Sequence, residues 1–199
     1  MSYISRRTKI VITFLFLVVA GYAFVRFLGA KDQIPKNFTD ARSKGSAIAA
    51  NIVALSNQSR DDLAKVNQYD KDSDYTDALT LTTSIVAQSQ QIRDQALALD
   101  DQVSEMTKAL PSISSPDAQQ AALDSISSRL ALVSQLINYS DDLNALLNVL
   151  RDKFTGKIPQ DSQVQTLVDK INTDVAAVNN FNAQAGQSMT QFDTIVAKK

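Results

Sequence analysis

The chain has 199 residues, 44% of them hydrophobic, with 20 basic and 21 acidic side chains. It contains no Cys, His or Trp, which excludes disulfides and thiolate metal sites and removes the commonest acid–base catalyst and metal ligand. Arg6, Arg7, Lys9, Arg26 and Lys31 fall in the first 31 residues with no acid, so the remainder holds 15 basic against 21 acidic residues, a net charge of −6. That balance argues against a nucleic-acid function, which needs a basic footprint, and against lying flat on anionic lipid.

Residues 10–25, IVITFLFLVVAGYAFV, are uncharged and apolar, and Phe27, Leu28 and Ala30 extend the run to 21 residues with Arg26 as its only charge. A spanning helix needs about 20 such residues, and Arg26, near one end, reaches the headgroups along its own methylenes. The composition therefore predicts a basic cytoplasmic tail at residues 1–9 and a single transmembrane signal-anchor helix at residues 10–30. A linker follows at 31–36, then an extracytoplasmic domain at 37–199. A cleaved signal peptide is the rival, with small residues at Gly21, Ala23 or Ala30 near its end. The apolar core is longer than such peptides carry. A buried helix of a soluble protein does not fit, because Phe14 to Val19 are apolar on every face.

The outer domain reads as four long helices. The first spans about 37–66, with Ile48, Ile52, Leu55, Leu63 and Val66 on one stripe and Asn37 or Thr39 as its cap; Gly45 is a weak point near its start. The polar segment 67–74, NQYDKDSD, reads as a connector. The second helix spans about 75–110, with Tyr75, Ala78, Ile85, Ile92, Ala96, Leu99, Val103, Met106 and Leu110 on a heptad seam in which Ser89 fills a polar gap. Pro111 stops it.

The third helix spans about 116–154. Ser115 is its cap, Pro116 its first residue, and Asp117 an acid at the positive end of the helix dipole. Its stripe is Leu123, Ile126, Leu130, Val133, Ile137, Leu143, Leu147, Leu150 and Phe154, and Gly156 provides a left-handed end. The fourth spans about 161–197 on Val164, Leu167, Ile171, Val175, Val178, Ala185, Met189, Phe192 and Val196, with Gly186 inside it. Short connections between long amphipathic helices give an all-α fold, an up-down-up-down, coiled-coil-like four-helix bundle behind one membrane helix. Three long helices plus a separate one that pairs with a partner is the alternative arrangement.

Few residues point to chemistry. Asp61/Asp62, Asp100/Asp101 and Asp141/Asp142 are acid pairs, but neighbours on a helix point about 100° apart, so a solvated face explains them. Asp70, Asp72 and Asp74 open like a calcium loop, yet the turn glycine and the later bidentate Glu are missing. Asn37, Asn57 and Asn138 begin glycosylation triplets, which a chain so rich in Ser and Thr produces by composition. Ser89 and Ser140 interrupt apolar seams; the choice is between a polar pocket and a close helix approach with the hydroxyl bonded back to its own helix. There is no nucleophile elbow, phosphate loop, dinucleotide fingerprint or zinc motif, so no catalytic residue, cofactor or metal ligand is assigned.

The layout of basic tail, single span and outer helical bundle resembles LemA-type proteins and the ectodomains of bacterial chemoreceptors. This is a resemblance of architecture, and it carries over no residues. The expected function is a non-enzymatic, membrane-anchored interaction or scaffold module of the cell envelope. It would be held in the bilayer through residues 10–30 and would engage a protein partner or a second copy. The alternative is a ligand-sensing bundle that signals through a partner membrane protein, with a pocket between helices near Ser89 or Ser140.

Overall fold

A computed structural model describes residues 34–157 and 161–198, and within them the chain is all-helical. Four long helices follow one another: α1 (Lys36–Lys71), α2 (Tyr75–Ala109), α3 (Pro116–Phe154) and α4 (Asp161–Ala197), with a 3-10 turn at Leu110–Ser112. The tail and apolar run expected at 1–30 lie outside the described residues. Among the described residues no helix is long and apolar enough to cross a membrane.

The ends of the helices show why they stop. α1 does not end at residue 66 as expected. It continues through the polar segment to Lys71, and only Asp72, Ser73 and Asp74 connect it to α2. Ser73 takes a left-handed conformation at φ 59°. Its amide donates to the Asp70 carbonyl and that of Asp74 to the Tyr69 carbonyl, which satisfies two carbonyls that the helix end leaves open. α3 ends in the same way at Gly156, φ 84°, where the amides of Gly156 and Lys157 donate to the carbonyls of Lys153 and Asp152. Asp74 caps α2 through the Asp77 amide, and Ser115 caps α3 through the Ala118 amide, with Pro116 at the first position. At α1 the cap falls on Pro35, not on Asn37 or Thr39, and makes no side-chain bond.

Helices adjacent in sequence pack against one another, most extensively α3 against α4. They run antiparallel. Gly45 approaches Leu99 and Gln102 while Ser59 meets Gln88, so α2 descends as α1 rises. Gly45 thus marks a close approach: a Cβ there would lie 3.4 Å from Leu99 Cδ1. α1 and α4 keep their backbones apart and meet through side chains near the N-terminus of α1. Phe38 and Phe192, both fully buried, face each other at 5.3 Å. One turn on, Arg42 makes a two-pronged bond to Asp193 at 2.6 and 2.7 Å. Arg129 of α3 lies close enough to feel the Arg42 charge; burial first, and Arg42 second, push its guanidinium down to about 10.

The main core runs the length of the bundle, from Phe38, Met106 and Phe192 to Val66 and Phe154. A second, smaller cluster of Leu146, Val149 and Leu167 joins only α3 and α4. The expected stripes hold for α2 and α4 over most of their length, although Tyr75 is exposed and stacks on Phe154 at 5.9 Å. α3 departs from its stripe. Leu123 and Leu130 are 46% exposed, while Leu132, Leu136, Tyr139, Leu146 and Val149 are buried. The reason is that α3 packs against neighbours on two sides, so its buried surface is wider than one stripe.

Two stability measurements follow. Leu136→Ala should cost about 3 kcal/mol and Leu123→Ala under about 0.5 kcal/mol in urea unfolding, the reverse of what the sequence stripe alone implies. Gly186 has nothing within 4 Å of where a Cβ would sit, so Gly186→Ala should raise stability by about 1 kcal/mol in the same assay.

Candidate functional site

Ser89 of α2 and Ser140 of α3 face each other across the interface between the two helices. Both are fully buried. The Ser140 hydroxyl donates to the Ser89 carbonyl at 2.9 Å and the Ser89 hydroxyl to the Ser140 carbonyl at 3.1 Å. The bonds cross between α2 and α3 rather than turning back on each helix, and they let the two backbones approach. Another polar cluster sits between α1 and α2. Ser59 donates to Gln88 Oε1 at 2.8 Å, Gln88 Nε2 to Asp62 at 2.9 Å, and Lys65 to the other Asp62 oxygen at 2.8 Å. The Lys65 bond, then the Gln88 bond, hold the Asp62 carboxyl below its usual range. Its support of the fold is therefore present above the ordinary Asp range and is lost as pH falls through the depressed value.

The three acids of the calcium-like segment go separate ways. Asp70 pairs with Lys153 at 2.5 Å, Asp72 accepts from Gln68 at 2.9 Å, and Asp74 caps α2. Of the acid pairs, Asp61 bonds Arg60 on the surface and Asp62 belongs to the buried cluster. Asp101 is exposed on α2.

Asp141 and Asp142 have a different setting. They stand with Asn138 on the flank of α3 that faces Thr166, Asp169, Lys170, Thr173 and Asp174 of α4, and together these residues enclose a groove of about 520 Å³. Four carboxylates and one ammonium line it. Asp141 pairs with Arg93 of α2 on its outer side. Asp142 lies 3.9 Å from Lys170, a loose pair, and Asp169 accepts from Gln165 at 2.8 Å. Thr166 and Thr173 donate their hydroxyl protons to the carbonyls of Ser162 and Asp169.

Asp174 is the unusual member. It is only 9% exposed, and its Oδ2 is shielded from solvent with no hydrogen-bond partner. Burial, then the nearby Asp142 charge, raise its carboxyl above the ordinary value, and Lys170 opposes them. Sequence reasoning placed Val175 on the α4 stripe and passed over Asp174. The signal was present: Leu167, Ile171, Asp174 and Val178 follow one another at steps of four, three and four, so an acid stands at a seam position. The α3 half of the groove was visible only as an acid pair, and nothing local set it opposite α4.

Comparison with protein families, with curated proteins and with solved structures finds no match. The groove's chemistry is therefore read from its own residues. It offers many acceptors and few donors, on a surface open to ligand.

A titration of stability checks the Asp174 environment. A raised carboxyl opposes folding when ionised, and this penalty begins to decline as pH falls through its folded value and is gone below its unfolded value. The surrounding charges are Asp141 and Asp142 from α3, Asp169 and Lys170 from α4, and Arg93 from α2. Asp174→Asn should stabilise the protein at pH 7. The advantage should shrink as pH falls and vanish below the ordinary Asp value of 3.8, as measured by thermal melts across that range.

Proposed function

We propose that the chain is a membrane-anchored, extracytoplasmic, non-enzymatic interaction or scaffold module of a cell envelope. The observation that carries this reading is the bundle itself. Its helices of 36, 35, 39 and 37 residues extend about 52–58 Å at 1.5 Å per residue. Polar bonds between helices hold their registers: Ser59 to Gln88, Ser89 to Ser140, Ser125 to the Ala185 carbonyl, and Arg42 to Asp193. Such a body is a stiff spacer that presents long helix faces at a distance from the point of attachment.

The apolar run at 10–30, preceded by Arg6, Arg7 and Lys9, supports attachment to a bilayer with the bundle on the outer side. The acidic balance of the rest keeps the bundle off an anionic lipid surface and argues for a protein partner or a second copy. Absence of His and Cys from the chain removes the commonest acid–base catalyst and the thiolate nucleophile.

The test is crosslinking in intact cells, capture through a C-terminal tag and mass spectrometry, combined with protease accessibility of the bundle in whole cells. The expected result is a reproducible envelope protein or a self-crosslink mapped to helix faces, with the bundle cut only from outside. Cleavage only from the cytoplasmic side would overturn the topology. An activity abolished by changing one Asp, with the fold intact, would overturn the non-enzymatic reading.

A further inference from the structure

The groove between α3 and α4 is chemically one-sided. Asp141, Asp142, Asp169 and Asp174 supply carboxylates, and Lys170 is the single cation among its lining residues. Thr166 and Thr173 spend their protons on backbone carbonyls, so toward the groove they offer lone pairs only. Asp174 adds an observation that an acidic surface alone lacks. It is 9% exposed, it lines the groove, and its Oδ2 has no hydrogen-bond donor. A shielded carboxylate without a donor is disfavoured until a cation or an N–H group reaches it.

The carboxylates are strung out rather than gathered. Among the described residues no three acidic side chains stand close enough together to hold a metal ion. Along α4 the lining runs from Thr166 to Asp174, about 12 Å at 1.5 Å per residue. A ligand that matches this pattern has several N–H donors and carries its positive charges at intervals along a flexible chain. We propose that the groove binds a linear polyamine, with one ammonium at Asp174 and Asp142 and another toward Asp169. Each ammonium brings three donors to a surface of acceptors. The first also sits between two carboxylates that otherwise repel each other.

The test is calorimetric titration of the full-length chain in detergent at low ionic strength, with spermidine, putrescine and magnesium chloride as probes. Saturable spermidine binding is expected, with putrescine weaker. Asp174→Asn and Asp169→Asn should each weaken spermidine about tenfold or more. Asp101→Asn, which removes the same charge from the surface of α2, should leave binding unchanged. Circular dichroism melting confirms that both variants are folded, and the exposed Asp169 variant tests the groove independently of the buried position. Four results would overturn the proposal: no saturable heat, an equal loss in Asp101→Asn, displacement of spermidine by an equal concentration of magnesium, or displacement by a lysine-rich peptide at lower concentration than spermidine.

Discussion

Leu132, Val133, Leu136, Leu143 and Leu147 carry α3 into the main core that all four helices share, while Leu146 and Val149 carry it into a second cluster with Leu167 of α4 alone. A helix buried on two sides needs a wider apolar surface than one stripe, and this requirement organises the rest of the bundle. α2 lies on one flank of α3 and α4 on the other. α1 reaches α4 only through side chains, Phe38 on Phe192 and Arg42 on Asp193. The residues that close the bundle therefore sit near the start of α1 and the end of α4, far apart in sequence and adjacent in space.

The interfaces use polar side chains where apolar ones would serve for burial alone. Ser59, Gln88 and Asp62 tie α1 to α2; Ser89 and Ser140 tie α2 to α3; Ser125 ties α3 to the Ala185 carbonyl of α4; Arg42 and Asp193 tie α1 to α4. Each tie is local, so sliding one helix along its neighbour by a turn would leave buried groups without partners at about 1–3 kcal/mol apiece. Apolar heptads tolerate such slips, because one Leu or Ile fits the next layer nearly as well. Register in this bundle rests on the hydroxyls, amides and ion pairs, and the apolar layers supply the driving force for association.

The same geometry leaves a charged flank. The portion of α4 that carries Val164, Leu167 and Val168 packs with α3 in a cluster separate from the main core. Beside that cluster the two helices present Asp141, Asp142, Asp169 and Asp174 to one groove. Asp174 occupies a seam position, where the periodicity of α4 calls for an apolar side chain, and it is buried with an oxygen lacking a donor. A group that departs from the local pattern without an internal partner marks a place where stability has been given up, and such places concentrate at binding sites.

Among the described residues, the sequence by itself determined that there are four long helices, the limits of α2, α3 and α4 to within a residue, and the caps at Ser115 and Gly156. These depend on local chemistry: proline and serine at a start, glycine at a left-handed end, apolar residues every three to four positions. It erred at the end of α1, where a run of polar residues reads as a loop although nothing in it stops a helix before the turn at Ser73. Only the tertiary structure decided that Leu123 and Leu130 face outward, that the Ser89 and Ser140 hydroxyls bond across helices, and that Asp141 and Asp142 meet Asp169 and Asp174. Each of these turns on which neighbour covers which side of a helix. Periodicity along one helix reports how wide its apolar face is, but the partner that covers that face is set by packing among residues far apart in the chain.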